Sequence, residues 1–301
     1  MKSAGDAFIL LTHVNSPIVW RELKKIEAAC KGLGDAWLLV QGSQESARYY
    51  EKAQRMEVCS LEDAMSLGFP AKGPYIVPGH AHFSIVRFSQ NHPGYRRYWM
   101  IEYDCRFSGS WRVLFNAYQK SNADFCASHI CTYQEEPEWS LWDLSHPKKE
   151  IPPEQRLRCF HPVYRISKPA LEFIENAHKD GWMGHSEVLI PTLLHLNGYK
   201  LLDFGGDGQF VLPGMQNKFY IAQPANPKGH LRTGTLRWRP EHDSMGNLKN
   251  KIYHPVKFDE KTQMPALAQT WIPRLRPFYS WLPIGIKQTI KNAARLILPG
   301  L

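Results

Sequence analysis

The segment at residues 98–109 constrains the fold most, because it joins a large apolar run to a pair of acids. It reads Tyr-Trp-Met-Ile-Glu-Tyr-Asp-Cys-Arg-Phe-Ser-Gly. A continuous apolar run that ends in turn residues is typical of a buried strand in a parallel sheet. Because side chains alternate along a strand, Glu102 and Asp104 are expected to point the same way at its carboxyl end.

This acid pair suggests a cation site. Open α/β sheets bind ligands outside the carboxyl ends of their strands. Two carboxylates held together there suit a hard divalent cation such as Mg2+ or Mn2+, which can in turn bind substrate phosphates. In the alternative interpretation the acids are simply solvated, or are neutralised by Arg97 and Arg106. The spacing alone does not decide between the two.

The N-terminal part predicts a βαβ unit. It contains an apolar run at residues 7–14, a helix capped by Ser16 and a second apolar run at residues 35–42. Such a unit implies parallel strands and a right-handed crossover, so we predict an α/β domain. The first strand ends in Thr12 and His13, which places them on the ligand side of the sheet, either as ligand contacts or as ordinary polar loop residues.

Two later segments carry candidate site residues. Glu187 follows a glycine-rich turn and lies in the first turn of a predicted helix, where it either serves as a general base or complements the helix dipole. Residues 252–257 are predicted to form a short ordered segment between polar segments. In this segment His254 is a candidate third metal ligand or a structural histidine, and Lys257 is a candidate phosphate contact.

Three segments are predicted to be irregular because they are rich in proline, glycine or polar residues. Residues 74–92 include His80 and His82, which are either metal ligands or polar surface. Residues 133–155 form a long aromatic excursion, a kind of loop that tends to be functional or mobile. Residues 222–248 are predicted to form a long loop in which several arginines could meet phosphate.

Composition narrows the partners. The 37 Lys and Arg residues outnumber the 28 Asp and Glu residues, for a net charge of +9. This balance suits anionic partners, but no nucleic-acid-binding signature is present, so nucleic acid is not expected. The six cysteines lack C-x-x-C spacing, which favours reduced thiols in the cytoplasm. No signal peptide and no apolar stretch of roughly 18 residues is found.

We expect two regions, a catalytic domain at residues 1–260 and a tail at residues 261–301. The tail contains six Lys or Arg residues and no acid, and part of it has the pattern of a basic amphipathic helix. Such a helix either lies on an anionic membrane surface or docks against the domain. The expected location is the cytoplasm, and a tail that binds lipid would add peripheral attachment at the inner face of the membrane.

Taken together, these blocks resemble nucleotide-sugar glycosyltransferases of the GT-A fold. They are most similar to a poorly characterised bacterial group with a Trp-x-Ile-Glu-x-Asp-x-Arg-Phe-x-Gly block. The resemblance rests on residues 99–109, 184–194 and 253–257, and with the βαβ unit it spans residues 7–258. It implies a mostly parallel central sheet flanked by helices. It also implies transfer of a sugar from a nucleotide-sugar donor to a hydroxyl of a glycan or lipid-linked acceptor.

The resemblance also implies roles for individual residues. GT-A enzymes bind the donor diphosphate through an acid pair and Mn2+ or Mg2+, which corresponds to Glu102 and Asp104, although Glu replaces the usual first Asp. A later histidine that completes the metal shell corresponds to His254, and the base of inverting members corresponds to Glu187. The remaining assignments are donor binding by Thr12, His13 and Lys257, and contact with the acceptor or support of the site by His185 and Arg106.

Two other functions stay open at this point. One is a different divalent-metal enzyme, a phosphodiesterase or carbohydrate hydrolase, that uses Glu102, Asp104 and His254. The other is a membrane-docked binding protein without catalysis. Turnover of a nucleotide sugar with Mn2+ separates the transferase from both.

Overall fold

The structure is a computed structural model of the 301-residue chain, and it describes residues 5–73, 79–225, 232–242 and 245–257. The chain divides into two units, Met1–Lys257 and Phe258–Leu301. The predicted basic tail lies outside the described residues. None of the helices in the described ranges is long and apolar enough to cross a membrane.

Thirteen strands occur in the described ranges. They are β1 (Asp6–Thr12), β2 (Gly34–Gln41), β3 (Met56–Cys59), β4 (Arg97–Glu102), β5 (Arg106–Phe107), β6 (Phe125–Thr132), β7 (Leu144–Ser145), β8 (Leu157–Ser167), β9 (Met183–Gly184), β10 (Leu201–Asp203), β11 (Ala222–Ala225), β12 (Arg232–Gly234) and β13 (Ile252–Tyr253). The α-helices are α1 (Pro17–Ala29), α2 (Gln44–Ala47), α3 (Leu61–Met65), α4 (His82–Asn91), α5 (Trp111–Gln119), α6 (Lys168–Asp180) and α7 (Ser186–Leu196). Two short 3-10 helices span Arg48–Tyr50 and Pro153–Gln155.

Seven strands form the central sheet in the order β10-β6-β8-β4-β1-β2-β3. The pairs β1–β2, β1–β4, β2–β3 and β6–β10 are parallel, whereas β8 runs antiparallel to both β4 and β6. The prediction of a mostly parallel central sheet flanked by helices is therefore confirmed. The other strands form three small two-stranded sheets, β11–β12, β13–β5 and β7–β9.

Apolar side chains pack on both faces of the sheet. Along β1, Ile9 and Leu11 belong to one buried layer, and Phe8 and Leu10 belong to the other. A strand that is covered on both faces needs a continuous apolar sequence rather than an alternating one. This requirement explains the uninterrupted apolar runs of β1, β2 and β4.

Local capping signals fix the helix starts. The Ser16 hydroxyl accepts a hydrogen bond from the backbone N–H of Ile18, and Pro17 takes the first helical position. At α3, Ser60 and Asp63 form a reciprocal capping box. The prediction that residues 74–92 are irregular is wrong for α4, whose apolar side chains pack into the core with Phe83, Val86 and Phe88 fully buried.

Residues 222–248 also differ from the predicted loop, because they contain the antiparallel hairpin β11–β12. Beyond this hairpin, a single bridge joins Leu236 to His254. The segment after β12 is therefore fixed against residues 252–257 rather than lying free on the surface.

Candidate metal centre and neighbouring carboxyl group

The two acids that were expected on one strand lie on a strand end and a turn. Strand β4 stops at Glu102, where the backbone N–H of Cys105 hydrogen bonds to the carbonyl of Glu102 (2.9 Å) and closes a tight turn. Before this turn, Tyr103 still donates its N–H to the Leu11 carbonyl of β1 (2.9 Å). The acid turn, residues 102–105, therefore lies at the carboxyl ends of the parallel pair β1–β4.

A distant segment brings His254 to the acid turn. Strand β13 pairs with β5, with Tyr253 opposite Arg106. The His254 Nε2 atom lies 3.4 Å from Glu102 Oε2 and 3.4 Å from Asp104 Oδ1. The structure thus places the three predicted metal ligands at one point.

The electrostatics of this point favour a positive charge. Burial on its own lowers the pKa of His254, but Asp104 and Glu102 outweigh burial and raise the pKa to about 9. Burial likewise raises the pKa of Asp104, and the nearby His254 and Lys257 reverse the direction and lower it. Two carboxylates that stabilise an imidazolium will also stabilise a bound metal cation.

The His254 ring is oriented for metal binding. Its Nδ1 atom lies 2.8 Å from the Arg237 carbonyl oxygen, which can only accept, so Nδ1 carries the proton. When the Nε2 proton leaves, as metal binding requires, the Nε2 lone pair faces the acid turn. A backbone carbonyl that fixes the tautomer of a histidine ligand is a common feature of protein metal sites.

The donor atoms present fit a divalent cation. Within the described ranges, the Asp104 Oδ1 atom is buried and accepts no hydrogen bond. Ligand atoms of Asp104, Cys105 and His254 lie within 4.8 Å of one another. Burial raises the pKa of the Cys105 thiol well above its ordinary value, and the thiol contacts the Pro162 carbonyl oxygen (3.4 Å). The oxygen ligands, Asp104 with Glu102, are therefore better matched than sulfur to Mn2+ or Mg2+.

Neither arginine beside the acids neutralises them. Arg97 donates to the carbonyls of Gln119 and Ser121, and Arg106 donates to backbone carbonyls of the acid turn. In the part of the chain that the structure describes, neither guanidinium forms an ion pair with Glu102 or Asp104.

Glu187 lies at the start of α7 with 15% of its side chain exposed. The His185 Nδ1 atom accepts the backbone N–H of Glu187 and so caps the helix (3.3 Å). Burial raises the pKa of Glu187 to about 7, Arg158 opposes this rise, and the Glu102 carboxylate adds to it. Glu102 and His254 both act on this pKa, so Glu187 lies within electrostatic range of the acid turn.

Two further residues near Glu187, the aromatic Trp139 and the basic Arg158, are not among the predicted site residues. The Arg158 guanidinium stacks over the Trp139 ring at 4.7 Å and forms an ion pair with Glu136 at 2.9 Å. Trp139 also contacts His185 with perpendicular rings, 6.0 Å between centroids. The aromatic excursion was the only sequence signal for Trp139. No motif marks Arg158, the second residue of strand β8.

Pairing of β7 with β9 holds the aromatic excursion beside Glu187. Leu144 lies opposite Gly184, directly before the turn into α7. A Cβ atom at Gly184 would lie 2.9 Å from the Asp143 carbonyl oxygen, a distance that real Cβ contacts do not reach. Glycine is therefore required at this close approach, which brings the excursion against the glycine-rich turn.

The predicted donor-binding residues differ in availability. The Thr12 hydroxyl is buried and hydrogen bonds with the backbone of Val14, so it stabilises the turn after β1. His13 is exposed and its ring packs edge-on against Tyr103. Desolvation lowers the pKa of His13 while Asp104 and Glu102 oppose this shift. His13 therefore lies near the acid turn, whereas Thr12 presents no free hydroxyl.

The cationic candidates are partly engaged. Lys257 Nζ lies 3.5 Å from Glu241 Oε1, with a third of its side chain exposed. Arg239 pairs with the same Glu241 carboxylate, and Arg237 donates to the Pro240 carbonyl. Lys257 is thus the candidate that combines exposure with an influence on Asp104.

The histidine pair of residues 74–92 belongs to a packed cluster. His82 is buried in α4, and its Nε2 atom lies 2.8 Å from Nε2 of His178 in α6. Burial lowers the pKa of His82 well below its ordinary value. His80 is also buried and stacks on Phe83. These contacts favour a packing role over metal binding.

No protein-family model and no curated protein matches the sequence. Among solved structures, the chain is similar to glucosyl-3-phosphoglycerate synthase from Mycobacterium tuberculosis in complex with Mn2+, uridine diphosphate and phosphoglyceric acid. The identity is 15% and the TM-score 0.41, over 66% of this chain and 68% of that chain.

It is also similar to 4-diphosphocytidyl-2C-methyl-D-erythritol synthase from Anaerococcus prevotii (9% identity, TM-score 0.42, 70% of this chain and 92% of that one). A third similar structure is a glycosyltransferase involved in glycosylation of the major capsid of PBCV-1 (10% identity, TM-score 0.31, 58% and 68%). The identities and TM-scores of these structures are low, so the similarity assigns no role to individual residues of this chain.

Proposed function

We propose that this protein is a metal-dependent glycosyltransferase that moves a sugar from a nucleoside-diphosphate donor to an acceptor hydroxyl. The observation that supports the proposal most is that a largely buried carboxyl group with a pKa of about 7 lies within electrostatic range of a cation-favouring cluster. In the proposed function, phosphate binding and proton acceptance would take place next to each other at the ligand edge of an α/β sheet.

Asp104, His254 and Glu102 would hold Mn2+ or Mg2+. Such a cation, when bound, supplies Lewis-acid stabilisation of the negative charge on a departing diphosphate. The protein's own contribution is to keep these ligands together, since Arg237 fixes the ring of His254 and the tight turn fixes Asp104.

Lys257 and His13 flank the cluster on the donor side. Lys257 lowers the pKa of Asp104, and Asp104 and Glu102 oppose the lowering of the His13 pKa by desolvation. An ammonium group held near the donor phosphates would neutralise part of their negative charge. One preorganised donor of this kind contributes on the order of 3 kcal/mol to transition-state stability.

Glu187 would remove the proton from the acceptor hydroxyl. A base is most effective when its pKa lies near the working pH, and burial brings Glu187 to that range. General-base catalysis contributes roughly 10²- to 10⁴-fold in rate. Trp139 and His185 contact each other beside Glu187 and offer a partly apolar wall for a glycan or lipid-linked acceptor.

The test is a panel of nucleotide sugars and nucleoside diphosphates, assayed with and without Mn2+. A ligand that binds only the folded protein raises its melting temperature. We expect a Mn2+-dependent shift for at least one nucleotide, and sugar transfer from the matching donor. Absence of any nucleotide-induced shift would refute the proposal, and hydrolysis of a phosphodiester without sugar transfer would instead identify a metal-dependent hydrolase.

A further inference from the structure

The backbone of the acid turn is fastened at three successive carbonyl groups. Arg106 Nη1 donates to the carbonyl oxygens of Tyr103 and Cys105, each at 2.6 Å. The carbonyl between them, that of Asp104, accepts the backbone N–H of Val256 at 2.8 Å. One side chain therefore fixes both neighbours of Asp104, while the segment that carries His254 fixes Asp104 itself.

Arg106 is a buried cation with a buried counter-charge. Only 7% of its side chain is exposed, and its Nε atom lies 3.9 Å from Oε2 of Glu22, whose side chain is 1% exposed. This separation is that of an ion pair rather than a hydrogen bond. Glu22 belongs to α1, so the helix that follows β1 reaches under the acid turn at the end of β4.

Glu22 is itself held in place by its neighbours. Its Oε1 atom accepts a hydrogen bond from the indole N–H of Trp111 in α5, and its Oε2 atom lies 3.2 Å from the Lys25 ammonium. A buried carboxylate with this many partners is fixed in position and remains available as a charge partner for Arg106.

We propose that Glu22 and Arg106 form a positioning pair for the metal centre, although neither is assigned as a ligand. This inference rests on the proposed metal-dependent function. Removal of the Glu22 charge would leave a buried guanidinium uncompensated beside a cation site. It would also release the group that fastens the carbonyls on either side of Asp104. Both effects weaken metal binding.

The measurement is the Kd for Mn2+, from the paramagnetic resonance signal of free Mn2+ in a titration of the metal-free, full-length protein. Glu22→Gln keeps the shape of the side chain and removes its charge. Loss of an outer partner of a metal ligand typically costs 10- to 100-fold in affinity, so we expect Kd to rise at least about tenfold. Glu27→Gln is the matched control, because Glu27 lies on the same helix and pairs with Lys24 at the surface.

A double-mutant cycle separates positioning from general destabilisation. If Glu22 acts through Arg106, the Glu22→Gln change will add little to the Mn2+ Kd once Arg106→Gln is present. Circular dichroism and melting temperature establish that each variant is folded. If Glu22→Gln does not fold, Arg106→Lys takes its place, since it keeps the charge and loses the planar guanidinium.

The outcomes are distinct. A folded Glu22→Gln variant, or in its place Arg106→Lys, that binds Mn2+ like wild type overturns the positioning role. So do additive effects in the cycle, and so does an equal loss in the Glu27→Gln control. Wild-type protein that binds no Mn2+ overturns both the positioning role and the metal site. Wild-type binding with loss in Glu22→Gln supports the pair, whatever the nucleotide assays then show about the transferase.

Discussion

Replacement of Glu187 by glutamine is expected to raise stability at neutral and alkaline pH and to lower kcat in the same protein. Burial keeps the pKa of Glu187 at about 7, against an ordinary value of 4.5. Between these values the folded protein holds a proton that the unfolded chain has released. Stability therefore falls as pH rises through this range. The whole difference corresponds to about 3 kcal/mol at roughly 1.36 kcal/mol per pH unit.

The sign of the effect can be measured directly. Below pH 4.5 the carboxyl group is protonated in both states, so wild type and Glu187→Gln should have the same free energy of unfolding. Above pH 7 the wild type retains a buried carboxylate, and Glu187→Gln should be more stable by about 3 kcal/mol. Denaturant unfolding of the metal-free protein at about pH 3.5 and at pH 8 gives both values.

The same variant tests the role as base. At pH 8, Glu187→Gln should lose roughly 10²- to 10⁴-fold in kcat for sugar transfer. Wild-type kcat should fall about tenfold per pH unit on the acid side of the Glu187 pKa. A bound cation in the cleft favours the carboxylate, so the kinetic pKa is expected at or below 7.

Glu62→Gln is the matched control, because Glu62 is an exposed acid in the first turn of α3. If a glutamate merely complements a helix dipole, its replacement by glutamine slightly lowers the stability of the protein at neutral pH. If Glu187→Gln behaves like Glu62→Gln, with lower stability at pH 8 and full activity, the assignment as a buried base is refuted.

Three other expectations can be tested with the same materials. His254→Ala should raise the Mn2+ Kd at least about tenfold and remove the Mn2+-dependent part of the nucleotide-induced melting shift; an unchanged shift would exclude His254 as a ligand. Trp139→Ala should raise the KM for the acceptor while slow hydrolysis of the donor by water continues unchanged, whereas equal loss of both reactions would assign Trp139 a purely structural role. Truncation after residue 272 should abolish sedimentation with anionic liposomes, and undiminished sedimentation would refute a membrane-binding tail.

Signals that act within a few residues predicted the local structure well. Ser16 marked the start of α1, and the capping box of Ser60 and Asp63 fixes the start of α3. Each of these depends on hydrogen bonds between neighbours in sequence, so a short stretch of sequence contains all the partners. The parallel pairing of β1 and β2 follows from the short helical crossover between them.

The direction of β8 could not be predicted in this way. Its apolar run marks a buried strand, but burial is the same for a parallel and an antiparallel neighbour. Pro162 within the run argues against a central strand, because proline has no N–H for the ladder. The structure accommodates it where pairing with β4 ends at Val163 and where the register with β6 shifts between Cys126 and Ser128.

The candidate site shows the same division between local and distant information. The acids at Glu102 and Asp104 could be found from their own segment, but their meeting with His254 depends on the two-residue pairing of β5 with β13. A strand of two residues leaves no periodic pattern in the sequence. The pairing also explains why Arg106 turns inward, since its backbone lies opposite Tyr253 and its side chain returns beneath the turn toward Glu22.

The acid turn is held by three parts of the chain, which lie at different distances from it along the sequence. Helix α1 supplies Glu22, strand β5 supplies Arg106 directly after the turn, and residues 252–257 supply His254 and the N–H of Val256. The first two contacts come from residues 22–106, whereas the third joins segments about 150 residues apart. Loss of the last contact would leave the carboxylates in place without their imidazole partner. The contact of residues 252–257 with the acid turn therefore completes the cation site, because it adds the His254 imidazole to the two carboxylates.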